Sequence, residues 1–178
     1  MPIDRTGVAT AAVAASLALD LLSKVIEVSK PVQQDEWLAA ARREADTLRR
    51  AADEDVTAYN VYLQCARTSA GPEEQERALR GTIEVPMNAA RAAVAGIELC
   101  VAMADSVRAS VTADLGVAAA LLAGAVRGMM LCVDANLPAT AAHDLYYEAV
   151  RTERRDLEER ANRSVSAVVA RATSAESR

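Results

Sequence analysis

Along almost the whole of this 178-residue chain, apolar side chains recur at every third and fourth position, and nowhere do they alternate with polar ones as a half-buried strand requires. That periodicity confines the chain to helices. Apolar residues make up 52% of it, yet aromatics are only 3% and phenylalanine is absent, so the helices must pack through Ala, Val, Leu and Met. Burial is worth roughly 25 cal/mol per Å², so small side chains gain little each. Close helix approach or a subunit interface has to compensate, which predicts a homodimer or higher homo-oligomer. The length suits one domain, residues 1–178.

Prolines and glycines cut the pattern into five helices. The first covers about 8–28 and ends before Pro31, because the residue before proline is pushed out of the helical region. The second covers about 34–67, with Asp35 and Glu36 at its positive end and Trp37, Ala41, Ala45 and Leu48 along one face. Gly71 is expected to stop it, and Pro72 to open a third helix over about 73–108. Pro86 predicts a kink near 81–85. The fourth covers about 113–136 with Thr112 or Ser110 as cap, and the fifth about 140–173. The fold class is therefore an all-α bundle of about five helices.

The formal charge is −5, with 20 basic and 25 acidic residues interleaved rather than gathered, which excludes a nucleic-acid partner. Cys65, Cys100 and Cys132 show no metal-ligand spacing, and His143 is the single histidine. The three cysteines read as buried small hydrophobes in a reduced, cytoplasmic protein, and no metal or cofactor is expected. The N-terminal MPIDRTG lacks the order of a signal peptide. The most apolar stretch, 115–133, is interrupted by Arg127 and flanked by Asp114 and Asp134, so it reads as a core helix that falls short of a membrane span. Met129 and Met130 read as core, and the charged run from Glu153 as a solvated face.

Several segments resemble, in order and spacing, the cyclodeaminase/cyclohydrolase family, which includes the cyclodeaminase half of formiminotransferase-cyclodeaminase and methenyltetrahydrofolate cyclohydrolases of that fold. Residues 6–17, TGVATAAVAASL, stand where the family has a Gly-Gly-Gly-Ser turn and a small-residue helix. Residues 52–59, ADEDVTAY, are similar to its Asp-x-Asp-Ala-x-Ala-Phe/Tyr stretch, and Val85-Pro86, 113–120 and 127–137 match three further signatures. The resemblance implies a dimerising helical bundle, and either ammonia loss with ring closure of formimino-tetrahydrofolate or hydrolytic opening of the methenyl ring. This chain departs from the pattern at Thr6, Val8 and Ala9 of the glycine turn, of which only Gly7 is kept, at 108–112 for an Asn-rich turn, at Ala113 for Ser and at Cys132 for Asn, while Asn136 is kept.

Asp114 opens the fourth helix ahead of an apolar run and is read as a general acid/base acting on an attacking or departing amine; the alternative is a first-turn acid favoured by the helix dipole. Asp53 and Asp55 lie about 200° apart around a helix, so one of them is structural. Asp55 and Tyr59, four apart, share a face and form an acid–hydroxyl pair, or else a surface acid beside a core tyrosine. Asp20, Lys24 and Glu27 form either an intrahelical ion-pair ladder or a new polar lining that puts Asp20 and Glu27 on a substrate. Asp134 and Asn136 form a further candidate binding pair, or a surface turn. His143, Tyr146 and Tyr147 cluster at the start of the fifth helix, too few for a nucleophile triad. The favoured function is a cyclase that makes or breaks a carbon–nitrogen bond in a nitrogen heterocycle of a non-folate metabolite. The alternatives are a folate cyclodeaminase or methenyltetrahydrofolate cyclohydrolase, and a non-catalytic helical scaffold.

Overall fold

The computed structural model describes residues 7–138 and 144–175, and all of the regular structure among them is helical. Five α-helices follow in order: α1 (Gly7–Ser29), α2 (Gln34–Thr68), α3 (Pro72–Met103), α4 (Thr112–Asn136) and α5 (Leu145–Ala175), with one 3₁₀ turn at Ala109–Val111. The first four form a ring in which α1 and α3 each pack against α2 and α4. Helix α5 lies outside that ring, against α3 and α4.

The core is built of small and aliphatic side chains, among them Ala12, Ala15, Leu19, Leu22, Ile26, Leu48, Met87, Ile97, Leu122, Met129 and Met130, all fully or almost fully buried. Close approach replaces aromatic bulk. A Cβ on Gly96 of α3 would lie 2.7 Å from Leu19 Cδ2 of α1 and 3.2 Å from Leu122 Cδ1 of α4, so these helices meet over a bare backbone.

Helix ends differ in detail from the expectations. Gly71 does not stop α2; Ser69 takes the left-handed conformation (φ 51°) and its N–H bonds Cys65 O, while Gly71 is extended and precedes Pro72 at the start of α3. Helix α3 ends at Met103 rather than near 108, and α4 starts without a side-chain cap, since Thr112 Oγ1 bonds back to Arg108 O. The helix stays continuous through Pro86.

The charged run of α5 is more than a solvated face. Glu153 pairs with Arg91 of α3 at 2.6 Å, Arg160 with Glu98 of α3 at 2.8 Å, and Arg154 with Asp134 of α4 at 2.7 Å, so the run ties α5 to the ring. Tyr146 and Tyr147 extend the tie by donating to Glu84 and Glu76 of α3 at 2.6 and 2.8 Å. The fourth helix also corrects an expectation. The stretches 7–29, 72–103 and 109–136 are each long and apolar enough, by length and composition, to cross a membrane, so 115–133 does not fall short of a span; about half of the most apolar part of each is buried within the bundle.

Candidate active site

The buried stripe of α2 runs Leu38, Ala41, Ala45, Leu48, Ala52, with spacings of three and four, and the next position of that stripe is Asp55. A carboxylate therefore points where the pattern calls for an apolar residue. Asp55 is only 5% exposed, whereas Asp53 faces solvent. Its carboxylate accepts the backbone N–H of Ala9 in the first turn of α1, so α2 supplies the acceptor that the positive end of α1 needs. Burial pushes the Asp55 pKa up, and the Ala9 hydrogen bond offsets that only in part.

Around Asp55 the ends of two helices and the interiors of two others enclose a cavity of about 340 Å³, lined by Gly7 and Val8 of α1, Asp55 and Tyr59 of α2, Thr82 of α3, and Cys132, Ala135 and Asn136 of α4. Glycine at position 7 keeps the wall thin, since a Cβ there would stand 3.2 Å from Cys132 Sγ. Tyr59 is 47% exposed and sits at the mouth one turn beyond Asp55, so the surface acid and core tyrosine of the alternative reading are reversed. Asn136 Nδ2 donates to the Thr82 carbonyl at 3.2 Å and joins the last turn of α4 to α3. Burial and the nearby Asp55 carboxylate both push the Cys132 thiol up, which keeps it protonated. Cys65 and Cys100 are buried as expected, but Cys132 is half-buried and belongs to this wall.

Three of the candidate residues, Asp55, Tyr59 and Asn136, thus meet in one cavity, and the others do not. Asp114 lies in the first turn of α4, 22 residues before Asn136, hence about 33 Å away along the helix at roughly 1.5 Å per residue. It is half-buried and makes no ion pair or hydrogen bond among the described residues. Asp20 and Glu27 do not form an intrahelical ladder; they pair across to α2, with Arg49 at 2.6 Å and Arg42 at 3.5 Å, on the open surface. Asp134 is held by Arg154 on the α5 side of α4. His143 lies outside the described residues. Sequence reasoning passed over Gly7, Thr82 and Cys132 as site residues, although Cys132 stands one turn before Asn136 and Thr82 one turn before Pro86.

A second cavity of about 350 Å³ lies between α2 and α3, lined by Thr47, Arg50, Glu54, Asn88 and Arg91 among others. It holds no buried acid, and Arg91 is already engaged by Glu153 and Asn88. Among the described residues no three His, Cys, Asp or Glu side chains gather in a metal-binding group.

Comparison with known proteins gives one family and one fold. The family model described as formiminotransferase-cyclodeaminase matches residues 6–156. No curated protein sequence matches. Among solved structures, formiminotetrahydrofolate cyclodeaminase from Thermotoga maritima superposes with a TM-score of 0.81 over 98% of this chain and 88% of its own, at 16% sequence identity.

Proposed function

The chain belongs to the formiminotransferase-cyclodeaminase family, and from that premise we propose that its Asp55 cavity closes formimino-tetrahydrofolate to the methenyl form with loss of ammonia. The observation that carries this reading is a buried carboxyl with a raised pKa facing an open pocket. In such a ring closure the attacking amine forms a bond to the formimino carbon and gives up a proton. The formimino group enters protonated, as =NH2+; the bond from its carbon to the terminal nitrogen then breaks, and that nitrogen leaves as ammonia after gaining the one further proton, so the methenyl product keeps the positive charge. One carboxyl can take the first proton and deliver the second, and a pKa raised towards neutrality suits both halves of the exchange. Tyr59, which lines the cavity one turn away on the same face, would orient the nitrogen at the mouth.

The cavity volume falls at the low end of the range for small-molecule sites and suits a two-ring head with the rest of the ligand outside. The departures from the family pattern at Val8 and Ala9 leave room for a non-folate metabolite, but neither the family nor the fold match speaks for one, and the folate reading takes precedence. Convergence of Asp55, Tyr59 and Asn136 supports an enzyme over a scaffold. The same reading carries a homodimer, supported by the Ala-rich core, and a cytoplasmic setting, supported by free cysteines. Light scattering on the purified chain checks the first. The decisive test is incubation with formimino-tetrahydrofolate while following methenyl absorbance in the near ultraviolet together with released ammonia. Absence of both signals sinks the proposal, and decay of added methenyl-tetrahydrofolate in their absence would assign the chain to ring opening instead.

A further inference from the structure

Pro86 stands inside α3, four residues after Thr82. In an α-helix the Thr82 carbonyl would accept the N–H of residue 86, and proline has none. Thr82 is 5% exposed, so water is poorly placed to compensate, and an unpaired buried carbonyl is costly. The missing donor comes from another helix: Asn136 Nδ2 at 3.2 Å. Because a carbonyl accepts only, this bond fixes which end of the Asn136 amide faces α3 and turns Oδ1 away from it. Asn136 lines the Asp55 cavity, and its Oδ1 has no hydrogen-bond donor among the described residues.

We propose that Pro86 is a positioning residue, and that through the Thr82 carbonyl it holds Asn136 so that Oδ1 accepts a hydrogen bond from an N–H of the substrate. The ligand half of this proposal rests on the folate reading above. A formimino group carries N–H donors, whereas a formyl group in the same place carries a carbonyl oxygen and would set acceptor against acceptor. The arrangement therefore selects formimino over formyl substituents on the same ring. That discrimination comes from a single amide orientation and needs no added charge.

The test uses the full-length chain with Pro86→Ala, Asn136→Ala and the double variant. Pro86→Ala returns an N–H to the Thr82 carbonyl and leaves Asn136 chemically intact. In ¹³C,¹⁵N-labelled protein the Asn136 side-chain amide signals should shift and lose their coupling to the Thr82 carbonyl, without any ligand present. With formimino-tetrahydrofolate, KM should rise about 3- to 10-fold, the weight of one hydrogen bond, with kcat changed less than about twofold. Formyl-tetrahydrofolate should compete correspondingly better. In the Asn136→Ala background, Pro86→Ala should move KM by less than about twofold, because its effect runs through Asn136. Unmoved Asn136 signals, or a KM effect that persists in that background, overturns the proposal. Should Pro86→Ala fail to fold, Asn136→Asp presents an oxygen to the Thr82 carbonyl in place of the donor and must raise KM for the formimino substrate; an unchanged KM overturns the proposal. A wild-type chain without turnover overturns the folate reading and the ligand half with it, while the amide spectra still decide the positioning half.

Discussion

Replacement of Asp55 separates its structural from its chemical role. Asparagine keeps an oxygen that can accept the Ala9 N–H but removes the charge that burial opposes, whereas alanine removes both. The Ala9 bond is equivalent to a helix N-cap delivered from another helix, a contribution of about 0.5–2 kcal/mol. Unfolding entropy near 2.1 cal/mol/K per residue is roughly 0.37 kcal/mol/K over this chain, so Asp55→Ala should lower Tm by about 1–5 °C. Asp55→Asn at pH 7 should melt at or above the wild type. The dependence on pH fixes the sign independently. The Asp55 carboxyl titrates higher in the folded chain than its ordinary 3.8, so within that window the folded chain holds a proton that the unfolded chain has lost. Its contribution to stability therefore rises as pH falls through the raised value and levels off below about 3.8. Melts of the three proteins followed by circular dichroism from pH 7 to 4 should show wild type gaining on Asp55→Asn as pH falls. Both substitutions should cost at least about 100-fold in kcat, the usual weight of a general acid/base. A gap between wild type and Asp55→Asn that does not change with pH, or an Asp55→Asn variant as unstable as Asp55→Ala, would refute this account of the buried carboxyl.

Other positions carry predictions of their own. Asp114→Asn and Asp20→Asn should each leave kcat/KM within about threefold and stability within about 1 kcal/mol, since one residue is remote from the cavity and the other is in an exposed ion pair; loss of turnover in Asp114→Asn would return the acid/base role to that residue. Gly96→Val must push Leu19 and Leu122 apart and should destabilise by about 1–3 kcal/mol, read as a fall in the denaturant midpoint. Tyr147→Phe removes the bond to Glu76 and should cost about 1 kcal/mol at neutral pH. Burial and then the Glu76 bond push Tyr147 from 10.0 up to about 12, so the wild type should lose stability as pH rises across that interval, and Tyr147→Phe should lose less.

The helices were legible because their cause is local. Three-and-four spacing, Pro31, Pro72 and the turn before it set the elements to within a few residues, except where α3 stops early; the expected start of the fifth helix at 140 lies outside the described residues. Asp114 drew attention for a reason that is also local, an acid at the head of an apolar run, and that reasoning cannot tell where the head of one helix lies relative to the middle of another. Asp55 carried a stronger signal. It continues the stripe through Leu38, Ala41, Ala45, Leu48 and Ala52, which weighs against the surface-acid alternative, and a buried acid has to find a donor. The identity of that donor, the first turn of α1, is set by tertiary packing and is invisible in the sequence.

Pro86 has the same character. The sequence determines that the Thr82 carbonyl lacks its helical donor, and only packing of α4 against α3 determines that Asn136 supplies it. Both polar contacts of the cavity answer backbone groups that a helix leaves unpaired, the N–H of Ala9 at a helix start and the carbonyl of Thr82 below a proline. In a core of alanine, valine and leucine such groups must be paired by side chains from neighbouring helices, and the side chains that reach them bring carboxyl and amide chemistry into an otherwise apolar bundle. A pocket in such a protein is therefore to be sought where helices begin, end or lose a hydrogen bond, and the Asp55 cavity has all three: the start of α1, the end of α4 and the gap left in α3 by Pro86.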